Sequence, residues 1–170
     1  MTAAHRFNNE LRYRDNTHPN QRQLTPHYVL DPVREALGGI NLDPCTEPDN
    51  PTRATHYFTA QDDGLVQGWF GSVYCNPPYG KARESWVYKC IEHAEAGHPV
   101  VLLVPSHTDT RIVQTCFRTA GQAVFIKGRV KFGVLRANRR QEAASHPSVL
   151  FGWNVSLRPH CDGIGFVVDL

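Results

Sequence analysis

No stretch of this chain stays apolar long enough to cross a bilayer. The longest runs, such as Val100 to Pro105, stop far short of the ~20 residues a spanning helix needs. The first twenty residues are polar and lack the apolar centre of a secretory signal. Both absences lead us to expect a cytoplasmic protein with no membrane partner. Paired cysteines are missing too. Cys45, Cys75, Cys90, Cys116 and Cys161 are odd in number and none stand as CxxC, which argues against a disulfide scaffold or a ribbon-type zinc site. Cys90 and His93 can share one helix face, but further matched ligands are not found, so no metal site is expected. Charge of one sign is not in excess: 18 basic residues against 16 acidic ones give a net +2, which neither demands nor excludes nucleic acid.

What is present suits one compact domain. The 170 residues are 41% hydrophobic and 10% aromatic, enough for a substantial core. Residues 1–23 read as a polar arm and 24–170 as the folded domain. Thr25 is expected to cap a helix that carries Pro26 in its first turn, buries Val29, Leu30, Val33 and Leu37, and ends at Gly38-Gly39. Strands are predicted over Ile40–Asp43, Tyr57–Thr59, Ser72–Cys75, Val100–Val104, Ala123–Ile126, Val130–Val134, Val149–Trp153 and Gly165–Val168. Helices are predicted over Ala82–Ala96 and Asp109–Thr119. Strands and helices alternate through the middle and strands dominate the end. The expected fold class is α/β, a mostly parallel sheet with an antiparallel strand edge.

Basic residues gather in two places. Arg136, Arg139 and Arg140 share a short polar stretch, and Arg129 and Lys131 alternate with Val130 and Phe132 on the exposed side of a predicted strand. These five are candidate phosphate contacts, with a solvated loop and a solvated strand face as the alternatives.

The chemistry is concentrated in Asn76-Pro77-Pro78-Tyr79. Proline cannot extend a central strand, so the strand before it must stop here, at the end where α/β sheets bind ligands. The prolines stiffen the turn and remove backbone donors. What remains is rich in acceptors: the side-chain oxygen of Asn76 and the carbonyl of Pro77. Two acceptors can take both hydrogens of a primary aromatic amine, while Tyr79 offers a flat face to a planar base. Holding both hydrogens draws the amine nitrogen toward tetrahedral geometry and aims its lone pair at an electrophile, so orientation replaces a strong general base. Such a base must leave the duplex, because its amine lies within the stack. The alternative is a Pro-Pro loop that happens to follow an asparagine.

Asn-Pro-Pro-Tyr after a strand is also the catalytic motif of amino-directed DNA methyltransferases. Together with Leu24-Thr25-Pro26, Leu42-Asp43-Pro44-Cys45, Asn50, Tyr57-Phe58-Thr59, Asp62-Asp63-Gly64-Leu65, Trp69, Thr108-Asp109-Thr110, 128–132 and His146-Pro147-Ser148, the chain from about Gln23 to Trp153 resembles the phage-type (Dam-type) DNA N-6-adenine methyltransferases. The resemblance implies a Rossmann-like S-adenosylmethionine-dependent methyltransferase sandwich, S-adenosyl-L-methionine as cofactor, double-stranded DNA as partner, and a monomer or homodimer. It implies a phage- or prophage-encoded enzyme in a bacterial host, in a restriction-modification setting. Asn76, Pro77, Pro78 and Tyr79 would be catalytic. Thr25 and Pro26 would lie beside the methionine end of the cofactor, Asp43 and Cys45 at the cofactor crevice, and Asp63 at the cofactor's adenine amine. Two features depart from larger relatives. Pro44-Cys45-Thr46-Glu47-Pro48 offers no glycine where a glycine-rich turn is usual, and no clear acid stands for the ribose hydroxyls, where Asp49 or Asn50 would substitute. The alternatives are a catalytically silent nucleic-acid-binding module with this fold, or an amino methyltransferase acting on cytosine N4 or RNA. Asn76 at the first motif position favours adenine over cytosine.

Overall fold

The structure, a computed structural model, describes residues 24–133 and 142–170. The arm 1–23 lies outside the described residues, as do Arg136, Arg139 and Arg140. In chain order the elements are α1 (His27–Leu37), β1 (Leu42–Asp43), β2 (His56–Tyr57), β3 (Val73–Cys75), α2 (Arg83–Glu95), β4 (Val100–Pro105), α3 (Arg111–Thr119), β5 (Gln122–Ile126), β6 (Lys131–Phe132), β7 (Glu142–Ala143), β8 (Ser148–Trp153), α4 (Arg158–Cys161) and β9 (Gly165–Asp169).

Seven strands form one mixed sheet in the order β2-β1-β3-β4-β8-β5-β9, and β6 and β7 pair apart from it. The strands β2, β1, β3 and β4 are parallel. The expected antiparallel edge is larger than an edge: β8 runs antiparallel between β4 and β5, and β9 pairs antiparallel outside β5. The reason lies in burial. All six residues of β8 are buried, so it belongs inside the sheet, whereas β9 leaves Phe166 exposed at the rim.

The continuous apolar run of β4 serves two cores, because successive side chains point to opposite faces. Val100, Leu102 and Val104 join Val73, Cys75, Phe151 and Trp153 beneath α2 and α3. Val101 and Leu103 join Tyr74, Val124 and Leu150 beneath α1 and α4. The result is a three-layer α/β/α arrangement. Among the described residues, no helix is long and apolar enough to cross a membrane.

Local boundaries differ from expectation where side chains find other partners. Thr25 is not the cap of α1: Pro26 holds that position, with no side-chain cap bond, and its carbonyl accepts from Val29 and Leu30. Gly38 ends α1 in the left-handed conformation at φ 66°, where its N–H reaches the Arg34 and Glu35 carbonyls. The helix α3 starts two residues later than read, capped by the Thr110 hydroxyl on the Val113 N–H at 3.4 Å. Of the strand read over Val130–Val134, Lys131 and Phe132 form β6 against β7 and Gly133 bridges Leu24, while Val134 lies outside the described residues.

Candidate active site

The strand β1 lies between β2 and β3, all running the same way. From β1 the chain goes to β2 on one side, then returns across β1 to β3 on the other. This reversal is a topological switch point, where α/β sheets bind ligands beyond the carboxyl ends of the strands. Asp43 ends β1 and Cys75 ends β3, so the Asp43-Pro44-Cys45 turn and the Asn76-Pro77-Pro78-Tyr79 turn share that crevice.

The turn after β3 is held from below. Tyr74 points into the core beneath α1, fully buried, and its hydroxyl lies 2.6 Å from Thr25 Oγ1. The same Oγ1 accepts from Asn76 Nδ2 at 3.1 Å. With the amino group of Asn76 turned toward Thr25, its carbonyl oxygen is directed to the other side. From β1, the Cys45 thiol donates to the Asn76 backbone carbonyl at 3.4 Å and sits 3.7 Å from Cys75 Sγ. Burial pushes the Cys45 thiol above its ordinary range, so it stays a neutral donor.

Tyr79 is half-buried, and its ring meets Phe132 of β6 edge-on, with 6.5 Å between centroids. The Arg83 guanidinium lies over its face at 4.7 Å from the centroid. Desolvation pushes the Tyr79 hydroxyl up to about 12, against the opposing pull of Arg83. Leu24 pairs with Gly133 through two backbone bonds, 3.2 and 3.0 Å, which ties the segment holding Thr25 to the end of β6. Through Phe132 and Leu24, the two-stranded β6–β7 unit is fastened beside the Asn76 turn. Arg129, just before β6, and Lys131 within it are exposed.

The residues expected near the cofactor divide into two kinds. Asn50 adopts a positive φ of 48° and folds its own loop: Nδ2 donates to the Ala54 carbonyl at 2.9 Å and Oδ1 accepts the Ala54 N–H at 3.1 Å. Asp43 is 3% exposed; it accepts from Thr52 Oγ1 at 2.7 Å and from the Cys45 N–H at 3.2 Å. Both residues brace the loop 44–55, which does without glycine. Asp63 is of the other kind. At φ 52° its Oδ1 accepts the Leu65 N–H at 3.3 Å, but Oδ2 is buried and has no partner among the described residues. The next residue, Gly64, presses on the turn after β1: a Cβ there would sit 1.9 Å from the Pro44 carbonyl oxygen. Trp69 Nε1 donates to the Gly64 carbonyl at 2.8 Å. Lys89 of α2 donates to the Leu65 and Gln67 carbonyls at 2.8 and 2.7 Å.

Burial pushes the Asp43 carboxyl up to about 6, despite its hydrogen bonds to Thr52, Cys45 and Thr46. The unfolded chain titrates near 3.9, so between about pH 4 and 6 the folded state keeps a proton the unfolded state has lost. The stability linked to Asp43 is fully present below pH 4 and is lost as pH rises through 6. Denaturant titrations should show wild type losing on the order of 1–3 kcal/mol over that interval relative to Asp43→Asn. Parallel pH profiles for the two proteins would contradict this.

The structure thus brings Thr25, Cys45, Asn76 and Tyr79 together, with Pro77 buried in the turn between the last two. It keeps Asn50 turned toward its own loop. His107 follows β4 and meets His146 edge-on at 4.4 Å, while Asp109 is exposed. Trp69 and Trp86 stack on each other at 6.3 Å and pack the core. Sequence reasoning missed three residues: Tyr74, Arg83 and Lys89. A tyrosine inside a buried strand was a usable signal, since its hydroxyl must find a partner. Arg83 and Lys89 gave no comparable sign.

No curated protein matches the chain. A family model described as DNA N-6-adenine-methyltransferase (Dam) matches residues 15–162 of the 170. It spans both turns of the crevice, β6–β7 and the antiparallel strands β8 and β5 but not β9, and does not favour the cytosine, RNA or silent-module alternatives. The chain belongs to the Dam family of DNA N-6-adenine-methyltransferases.

Proposed function

We propose that this adenine-N6 methyltransferase takes its methyl group from S-adenosylmethionine and delivers it to an adenine turned out of double-stranded DNA into the crevice between β1 and β3. On this reading the sheet is a Rossmann-like methyltransferase sandwich, and the enzyme works in the cytoplasm of a bacterial host. The observation that carries the reading is the Thr25–Asn76 bond at the end of β3. With Nδ2 held by Thr25, the Asn76 carbonyl oxygen faces the other way, at the start of the turn that carries Pro77 and Tyr79. Asn76 Oδ1 and the Pro77 carbonyl would each accept one N–H of the adenine amine. The nitrogen lone pair then points out of the ring plane, and preorganised acceptors stabilise the positive charge that develops there. Tyr79 would stack on the base on the face not taken by Arg83, a contact worth roughly 1–3 kcal/mol.

The residues beside the turn after β1 fit the cofactor. A buried carboxylate oxygen without a partner costs free energy unless a donor meets it, and Asp63 Oδ2 is such an atom. The amino group of an adenosyl moiety supplies a donor of that kind. Thr25 and Pro26, at the start of α1, would border the methionine end. Asp43, Cys45 and Asn50 would shape the crevice wall through the 44–55 loop rather than by direct bonds. When bound, S-adenosylmethionine supplies an electrophilic methyl group; the chain supplies orientation and a nucleophile held in place.

Isothermal titration with S-adenosylhomocysteine tests the placement. Binding in the micromolar range, on the order of −8 kcal/mol, is expected for wild type. Asp63→Asn keeps the Oδ1 that accepts the Leu65 N–H and tolerates the left-handed backbone, while it replaces the unpartnered Oδ2 by a donor; it should weaken binding about tenfold or more and leave the melting temperature nearly unchanged. Undiminished affinity in Asp63→Asn would show that the cofactor lies elsewhere.

A further inference from the structure

Arg83 is a half-buried cation with no anion among the described residues. Its guanidinium makes no hydrogen bond or ion pair with any of them, and Nε is fully buried without a partner. Its neighbours explain why this is notable. Glu84, the adjacent residue, is taken by an ion pair with Arg111. The contact Arg83 does make is the stack on Tyr79, 4.7 Å from guanidinium carbon to ring centroid. Burial depresses its pKa, the direction expected of a charge with no carboxylate beside it.

A guanidinium taken partly out of water without a counterion is costly, so a position like this is usually completed by an anion. Its fork of N–H groups matches the oxygens of a phosphate in a bidentate contact. Arg83 also opens α2, a 13-residue helix whose first turn has no side-chain cap. The Arg83 and Ser85 N–H groups of that turn are bonded to the Gly80 and Ala82 carbonyls, so only the positive end of the helix dipole adds to the potential there. Arg83 stands behind the Tyr79 ring, opposite the face proposed for the base.

We propose that Arg83 is a phosphate subsite: it binds a DNA backbone phosphate next to the extruded adenine, so that Tyr79 and Arg83 hold one nucleotide by its base and its backbone together. This rests on the reading of Tyr79 as the stacking face. It also assigns the ring a second task, since the same π-face that backs the base orients the guanidinium. Arg83 contributes to DNA binding and leaves cofactor binding alone.

Fluorescence anisotropy with a labelled duplex across a salt series tests it, using wild type, Arg83→Gln and Arg83→Lys. Loss of one phosphate contact lowers the slope of log affinity against log salt by about one unit. Arg83→Gln should show that decrease and about tenfold weaker DNA binding. Its S-adenosylhomocysteine affinity and melting temperature should equal those of wild type. Arg83→Lys keeps the charge and should retain the wild-type slope, with intermediate affinity. A wild-type slope in Arg83→Gln overturns the proposal, even if turnover falls, because support of the Tyr79 ring alone would lower turnover without changing the number of ions released. An equal loss of slope in Arg83→Lys and Arg83→Gln overturns it as well. Failure of the broader reading looks different: wild type itself would show no salt-dependent binding to duplex DNA.

Discussion

Asn76→Ala is expected to lower single-turnover methyl transfer by about 100-fold or more, the scale for removing one preorganised polar contact to a developing charge. The expectation follows from how the side chain is held. Its Nδ2 bonds Thr25 Oγ1 at 3.1 Å, and that oxygen lies 2.6 Å from the hydroxyl of the fully buried Tyr74. An acceptor fixed from two elements needs no reorganisation when the amine arrives. Alanine removes the acceptor and leaves the Tyr74–Thr25 pair intact, so the fold should survive. S-adenosylhomocysteine affinity should stay within a few-fold of wild type, because Asp63 is untouched. Rapid-quench measurement of methylated product with saturating cofactor and DNA separates the two quantities. Wild-type rates in Asn76→Ala would remove the amide from the mechanism.

Gly64→Ala is expected to damage both stability and cofactor binding, for a reason of space alone. The added methyl would lie 1.9 Å from the Pro44 carbonyl oxygen and 3.2 Å from the Trp86 ring. The carbonyl is backbone and cannot step aside, since its turn is fastened by Asp43 to Thr52 and by Cys45 to the Asn76 carbonyl. The loop carrying Gly64 is pinned as well, by Trp69 Nε1 and by Lys89. Overpacking of this kind costs about 1–3 kcal/mol. The misplaced loop carries Asp63, so S-adenosylhomocysteine binding should fall by tenfold or more. Asp63→Asn, by contrast, keeps the bond from the Leu65 N–H and should weaken binding without destabilising the fold. Chemical denaturation paired with calorimetric titration distinguishes them. A Gly64→Ala protein with unchanged stability would show that the two turns are not in the contact described.

Local features were the legible ones. The strand before Asn76 had to end at Pro77, and Gly38 had to close α1, because each follows from the backbone chemistry of one residue. The apolar run 100–105 announced a strand buried on both faces. Thr25 was misread because its partners, Tyr74 and Asn76, are 49 and 51 residues away. A threonine before Pro-His satisfies the local signature of a cap equally well. The loop-closing bonds of Asp43 to Thr52 and of Asn50 to Ala54 were not legible, because such bonds leave no periodic trace. The position of β8 between β4 and β5 was also out of reach, since strand order is decided by which faces can be covered, not by alternation within a strand. Arg83 escaped notice because helix α2 begins only at that residue, so its stack on Tyr79 belongs to no regular spacing.

The central claim is that the crevice between β1 and β3 holds an adenine amine against Asn76. Mass spectrometry of nucleosides from DNA of cells expressing the wild-type chain, set beside DNA from cells expressing Asn76→Ala, tests it most directly. The account predicts N6-methyladenine in the first, its loss in the second, and no N4-methylcytosine in either. N4-methylcytosine in the first sample, or equal N6-methyladenine in both, would contradict it.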